Sequence, residues 1–324
     1  MKVLVTGATG FIGAGVCRGL AERNCELRVL VLNGEDVSCV RSYAKEIHYG
    51  DITVPATLKG IADGVDTVFH LAARVTDWGP KKAFYATIFD GTRNLVKECE
   101  GSVERFVFVS SIAACGIGRH LKGFTERDEP RKSGVPYNDA KLDTERFIRE
   151  EDAKGRTRYT IVRPSNVTGP GSVWVKDIIE RYRGLFVPLI DEGRYSASLV
   201  YVDNLVDGII RAGTMKAGEG KIYQFRDDWN VTWKQYVTDL GAVIGKKPMG
   251  SIPFSLAWYG GGALEAILTP LGVRAPITRL AAGAMGRDND VDTSLARNEL
   301  GWKTEISYDE AMTRIARWVR ENMR

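Results

Sequence analysis

Short runs of β-branched and other apolar residues alternate with helix-periodic stretches through the first half of the chain. Lys2–Thr6, Leu27–Leu32, Glu46–Tyr49, Thr67–Leu71, Arg105–Val109 and Tyr159–Val162 read as strands, with one helix running on to Arg23 and another over Tyr137–Lys154. Val3-Leu4-Val5, Val29-Leu30-Val31-Leu32 and Phe106-Val107-Phe108-Val109 are apolar without alternation, as strands covered on both faces must be. The pattern therefore predicts an α/β chain built on a doubly wound parallel sheet. Past Pro164, Gly169, Pro170 and Gly171 the alternation fades into helices (Val173–Arg183, Val202–Ala212, Thr232–Ile244, Tyr308–Asn322) and short strands such as Ile222–Phe225. This divides the chain into a nucleotide-binding domain over 1–170, to which about 199–225 returns, and a smaller lobe over 171–324 that carries the substrate.

The first strand runs straight into Gly7-Ala8-Thr9-Gly10-Phe11-Ile12-Gly13 and a helix. That context gives a Rossmann-type dinucleotide turn. Gly7 permits the tight bend, Gly10 the approach of a pyrophosphate, and Gly13 close packing of the helix, whose N-terminus faces the anion. Asp51 lies where adenine would reach the sheet edge and either accepts from the adenine amino group or caps its own turn. His70, in an apolar strand end, reads as a structural histidine.

Tyr137 and Lys141 stand one helical turn apart on one face. A phenol with a pKa near 10 needs help to act at neutral pH, and an adjacent ammonium is expected to lower it so that it can move a proton to or from a substrate oxygen. Ser110 and Ser111 follow the strand ending at Val109, on the same sheet edge, where a hydroxyl can hold that oxygen or cap the next segment.

Composition narrows the reading little further. The 45 basic and 41 acidic residues leave a net charge of +4 spread along the 324 residues, without the basic blocks of a nucleic-acid surface. Five cysteines without CxxC spacing suit free thiols in a reducing cytoplasm. His48, His70 and His120 are far apart, so no metal is expected. Residues 1–6 read as a strand rather than a leader. The apolar segment Phe254–Val273, broken by glycines, Glu265 and Pro270, reads as a lid, a core helix or a peripheral membrane contact.

TGATGFIG (6–13), VSSIAACG (109–116), YNDAK (137–141) and RPSNVTGPG (163–171), in this order, resemble the extended short-chain dehydrogenase/reductase family along nearly the whole chain. VYVDN (200–204), PITR (276–279), LGW (300–302) and YDE (308–310) are most similar to its 3β-hydroxysteroid dehydrogenase, sterol-carboxylate dehydrogenase and dihydroflavonol reductase branch. The resemblance implies a catalytic Ser111 (rather than Ser110), Tyr137 and Lys141, the last also on the nicotinamide ribose. It implies cofactor contacts from Gly7, Thr9, Gly10, Phe11, Ile12 and Gly13, from Asn33, Asp51 and Ile52, from Leu71, Ala72 and Ala73, and from Pro164, Ser165 and Val167. Substrate contacts fall to Thr76, Ser111, Ala113 and Asn166, and a homodimer is implied through a four-helix contact that includes the Tyr137 helix.

Three departures from the family pattern matter. Ile88 replaces an asparagine ahead of Gly91-Thr92, so a water relay there would pass to Thr87. Ala140 precedes Lys141 where serine or threonine is common. Val31-Leu32-Asn33-Gly34 puts neither acid nor arginine at the end of the second strand, which tips the expected cofactor from NAD to NADP. Ala197 stands where sugar-nucleotide epimerases of the family carry a phosphate-binding arginine, with Arg194 nearby. The expected activity is thus NAD(P)-dependent hydride exchange with a secondary alcohol or ketone on a hydrophobic molecule: a sterol or triterpenoid, a long-chain β-hydroxy or β-keto acid, or a flavonoid-like ring. Epimerisation or dehydration of a nucleotide sugar with tightly bound NAD is the alternative.

Overall fold

The computed structural model describes residues 1–184 and 187–323. Six strands follow one another through the first half: β1 (Lys2–Thr6), β2 (Glu26–Val31), β3 (Ala44–Tyr49), β4 (Thr67–His70), β5 (Arg105–Val109) and β6 (Arg158–Pro164). Five shorter ones follow: β7 (Asn166–Thr168), β8 (Leu189–Ile190), β9 (Leu199–Tyr201), β10 (Ile222–Phe225) and β11 (Ser251–Ile252). The main sheet runs β10-β6-β5-β4-β1-β2-β3, and all its pairings are parallel. Strand order reverses at β1, which places a crevice at the C-terminal ends of β1 and β4.

Strand periodicity sorts the core. Val3, Val5, Val29, Phe69, Val107 and Val162 face α1 (Phe11–Glu22) and α7 (Val202–Thr214), meeting Val16, Leu20, Leu205 and Ile209. Leu4, Leu30, Val68, Phe106, Phe108 and Ile161 face the other way, onto Leu95, Val96 and Ile148 of α4 (Gly91–Cys99) and α5 (Pro136–Ala153). Between β2 and β3 lies the single-turn α2 (Ser38–Arg41), and α3 (Lys81–Tyr85) precedes α4. A π turn over Ala86–Asp90 joins α3 to α4. The extra residue of that turn breaks the 3.6-residue period, which is why the sequence pattern announces no helix across 81–99.

The later chain builds a second core from α6 (Val173–Gly184), α8 (Trp233–Val243), α10 (Arg279–Met285) and α12 (Tyr308–Asn322), with Val175, Ile179, Trp233, Tyr236, Leu240, Ala282 and Ile315 buried together. It also contains α9 (Gly261–Leu268) and α11 (Ser294–Leu300), and the small pairs β7–β9 and β8–β11. Residues 222–225 leave this lobe to complete the main sheet beside β6.

The Asn204 of the VYVDN motif is a structural fastener. Its Nδ2 donates to Asp227 Oδ1 at 2.9 Å, its Oδ1 accepts from the amides of Glu305 and Ile306, and its carbonyl accepts from Trp302 Nε1 at 2.8 Å. No helix among the described residues is long and apolar enough to cross a membrane.

Candidate active site

Four sheet-edge segments converge at the crevice. Gly7 has φ +66°, and a Cβ there would stand 2.8 Å from the Ala72 amide. At Gly13 a Cβ would lie 2.0 Å from the Gly7 carbonyl oxygen, so the helix is seated directly on the turn. α1 then begins at Phe11, with neither a capping side chain nor an acidic residue in its first turn. Its leading N–H groups therefore face the crevice, which fits a dinucleotide pyrophosphate.

His70 holds the neighbouring strand end. The Thr92 hydroxyl donates to the Ile88 carbonyl at 2.5 Å, so its oxygen accepts from His70 Nε2 (2.8 Å) and leaves Nδ1 to accept from the Thr6 hydroxyl (2.7 Å). Thr6 Oγ1 in turn accepts from the Ala72 amide at 3.2 Å. Burial, reinforced by the charge of Lys141, pushes the imidazole down to about 3, so it is neutral and structural, as its apolar setting in the sequence suggests. The Leu71-Ala72-Ala73 segment is thereby tied to the glycine turn.

Ser111 caps the short 3-10 turn Ile112–Cys115, its Oγ accepting from the Ala113 amide at 3.1 Å. Tyr137, half-buried at the start of α5, stands beside Ser111. Lys141, 2% exposed, donates to the Val109 carbonyl at 2.7 Å and lies 4.8 Å from the centre of the Phe108 ring. The three residues do come together. Their electrostatics differ from the expectation: burial pushes the phenol up to about 12, with the neighbouring Ser111 hydroxyl pulling the other way. Burial also pushes the Lys141 ammonium down to about 7, Glu145 opposing it. The ammonium is turned toward a backbone carbonyl and an aromatic face, so in the protein alone it does not lower the phenol.

Ser110 has a separate task. Its hydroxyl donates to Glu145 Oε1 at 2.5 Å, and Glu145 forms a fully buried ion pair with Arg163 (Nη2 to Oε2, 2.6 Å). Nothing in the sequence reading singled out this pair, although Glu145 lies one further turn along the Tyr137–Lys141 face.

The remaining positions divide. Ile52 is buried against Gly91, and Pro164 and Ser165 are buried at the end of β6, with no hydrogen-bond partner for Ser165 Oγ. Thr9, Phe11, Ile12 and Val167 are half-buried around the crevice, and Asn33 is exposed. Asp51 Oδ1 accepts from the amide and hydroxyl of Thr53 at 2.7 and 2.8 Å, so the turn-capping role is in place. Asn166 Nδ2 donates to the Ala197 carbonyl at 2.8 Å, which commits that amide to holding β7. Ala113 is 2% exposed, in a cluster with Ile112, Cys115 and Leu121 that abuts Tyr137. Thr76 accepts from the Trp78 amide at 3.4 Å. Thr87 is tied back to the Ala83 carbonyl at 3.3 Å and Ile88 is buried, so the hydroxyl expected to carry the relay is engaged within its own helix.

The premise of the NADP expectation also changes. Glu35 folds back so that its carboxylate accepts from the Leu32 amide at 3.0 Å, which brings an acid to the end of β2 after all.

Beside Tyr137 opens a cavity of about 480 Å³, bounded by Trp78, Phe84 and Val135 on one side and by Gly262, Ala266 and Pro270 on the other. Segment 254–273 is thus its outer wall. Phe254 and Ala257 are buried, while Leu256, Tyr259, Ile267 and Leu271 are 63–75% exposed, so this is not a core helix.

The family model described as NAD dependent epimerase/dehydratase matches residues 3–225. The chain belongs to that family. It is accordingly an NAD(P)-dependent enzyme of the extended short-chain dehydrogenase/reductase type, as its four motifs suggest. Relatives include the 4-hydroxy-2-methyl-3-oxo-4-farnesyl-3,4-dihydroquinoline-1-oxide ketoreductase of Stigmatella aurantiaca, 27% identical over 96% of this chain and 95% of the relative. A 2-alkyl-3-oxoalkanoate reductase of Stenotrophomonas maltophilia is 27% identical over 97% and 98%. The UDP-glucose 4-epimerase of Thermotoga maritima, solved with UDP-glucose, superposes with a TM-score of 0.80 at 23% identity, covering 100% of both chains. That likeness establishes the Rossmann-type fold.

Proposed function

We propose that this protein exchanges a hydride with a secondary alcohol or ketone on a hydrophobic small molecule, using Ser111, Tyr137 and Lys141. The observation that carries the reading is Tyr137 lining a largely apolar cavity with Ser111 beside it. Reductases among the relatives are named for ketones on farnesyl- or alkyl-bearing molecules, which favours the same substrate class.

A bound nicotinamide dinucleotide would supply or accept the hydride, held by the amides of the 7–13 turn and by Lys141. In the reducing direction Ser111 holds the carbonyl oxygen. Tyr137, protonated at neutral pH, gives that oxygen its proton as the carbon takes the hydride, and the phenolate recovers a proton from solvent. In the reverse direction the alcohol loses both. Glu35 at the end of β2 favours NAD(H) over NADP(H), since a carboxylate there binds ribose hydroxyls and repels a 2'-phosphate.

Nucleotide-sugar epimerisation has weaker support. Ala197 is fully buried, and Arg194 is exposed and paired with Asp191 at 3.6 Å, so neither offers a diphosphate site. Residues 1–170 with 199–225 serve the cofactor and 171–324 mainly the substrate, with 254–273 as a lid whose apolar outer face is available for peripheral membrane contact. Tyr85, Phe89 and Phe147 line a half-buried aromatic face on α3 to α5 suited to a homodimer.

Tyr137→Phe tests the central claim. Turnover of a medium-chain secondary alcohol should fall at least 100-fold while fluorescence titration finds NADH binding within about threefold. An undiminished rate would reject the role.

A further inference from the structure

The two walls of the cavity beside Tyr137 come from distant parts of the chain. Asp77, Trp78 and Lys81 follow β4, whereas Gly262, Ala266 and Pro270 belong to the 254–273 segment of the later lobe. Among the described residues, the hydrogen bonds that join 71–81 to that lobe all end on Asp77, which itself lines the cavity. Arg274, just past the 254–273 segment, donates to Asp77 Oδ2 from Nη2 at 2.7 Å, and the Thr278 hydroxyl donates to the same oxygen at 2.9 Å.

The Arg274 nitrogen is shared. Nη2 also donates to Asp177 of α6 at 2.5 Å, so its two hydrogens serve two carboxylates. Three segments therefore meet at one cation: the wall after β4, helix α6 and the end of the lid. The side chains of Asp77 and Asp177 are 15% and 26% exposed, so solvent screens them only in part. Without the guanidinium they would face one another as like charges, and the wall that carries Trp78 would be driven outward. The opposite wall would not follow. Glu265 of α9 accepts from the amide and Nε of Arg279 at 2.7 and 2.8 Å, which fastens the lid within its own lobe.

We propose that Arg274 is a positioning residue that sets the width of the substrate cavity, and thereby which substrates fit, by clamping Asp77 to Asp177. The assignment rests on the hydride-exchange reading only in taking this cavity as the substrate's. Arg274 does not itself line the cavity and acts through Asp77. With the clamp closed, a slender alkyl chain touches both walls; once it is released, such a chain loses one wall while a fused ring keeps both.

The test follows oxidation of 2-octanol and 1-(2-naphthyl)ethanol, with NAD and with NADP, by the wild type, Arg274→Met, Arg274→Lys and Arg274→Met combined with Asp77→Asn. Arg274→Met should raise KM for 2-octanol at least tenfold and leave that for the naphthyl alcohol unchanged or lowered, so that selectivity shifts at least fivefold toward the wider substrate. Its kcat should stay within about threefold and its NADH affinity should not change. Arg274→Lys, which keeps a cation, should recover part of the loss. Adding Asp77→Asn should do so as well, because it removes the repulsion and the neutral amide still accepts from Thr278.

An unchanged selectivity, an equal loss for both alcohols carried by kcat, or a loss of NADH affinity that Asp77→Asn does not relieve would overturn the clamp while leaving hydride exchange standing. A wild type that oxidises neither alcohol would overturn hydride exchange instead. The clamp is then read from binding of the apolar dye 1-anilinonaphthalene, and an affinity that Arg274→Met leaves unaltered would overturn it too.

Discussion

Lys141 Nζ donates to the carbonyl of Val109, the last residue of β5, at 2.7 Å. This one bond sets the register of the Tyr137 helix against the strand that delivers Ser111. It also places the ammonium in a dry site, where burial lowers it from 10.5 to about 7. Between those values the unfolded chain binds a proton that the folded chain has released, so stability rises with pH through that window and is lost as pH falls. Lys141→Met should abolish this contribution: between pH 7 and 9.5 its Tm should climb about 3–6 °C less than that of the wild type, and its turnover should fall at least 100-fold. Thermal melts across that range measure the slope, and an unchanged one would remove Lys141 as its origin.

Adjacent serines should behave differently. Ser111→Ala should cut turnover roughly 100-fold or more with little change in stability. Ser110→Ala removes a hydrogen bond to the buried Glu145 carboxylate and should cost about 1.5–3 kcal/mol in urea unfolding. A reversed pattern would exchange the two roles.

Glu145→Gln leaves the Arg163 guanidinium, 1% exposed, without its counter-charge. The loss should be about 3–5 kcal/mol. The double variant Glu145→Met with Arg163→Met should recover most of it, because removing both charges removes the desolvation cost of each. Equilibrium unfolding of the wild type, Glu145→Met, Arg163→Met and the double variant forms a cycle that reads the coupling directly.

Gly13→Ala puts a methyl group against the Gly7 oxygen, and backbone there has no flexible end to yield. NADH affinity should drop at least tenfold by fluorescence titration, with Tm lowered. Retention of full affinity would mean that the turn can move without cost.

Glu35→Ala tests cofactor choice. NADH affinity should weaken about tenfold while NADPH affinity holds or improves. Equal effects on both would assign Glu35 only to closing its own turn.

The sheet was legible in the sequence because central parallel strands are buried on both faces and leave uninterrupted apolar runs: β1 and β5 match the expected bounds residue for residue. The meeting of Ser111, Tyr137 and Lys141 was legible because each follows a sheet edge or a helical turn at fixed spacing. What spacing does not carry is direction. Residue types cannot say that Lys141 turns to Val109, that Glu35 doubles back to Leu32, or that Asn166 spends its amide on Ala197. The helix over 81–99 was hidden by its π turn, and segment 254–273 by having one face on a cavity and the other exposed.

The main sheet takes its final strand from residues 222–225, far downstream of β6. During synthesis the hydrogen-bonding groups along that side of β6 stay bare until those residues have left the ribosome, an open edge of the kind that invites association with other chains. Truncations that end near residue 170 would keep every motif of the nucleotide site yet carry that exposed flank permanently, and should be recovered as aggregates rather than as a free-standing cofactor-binding fragment.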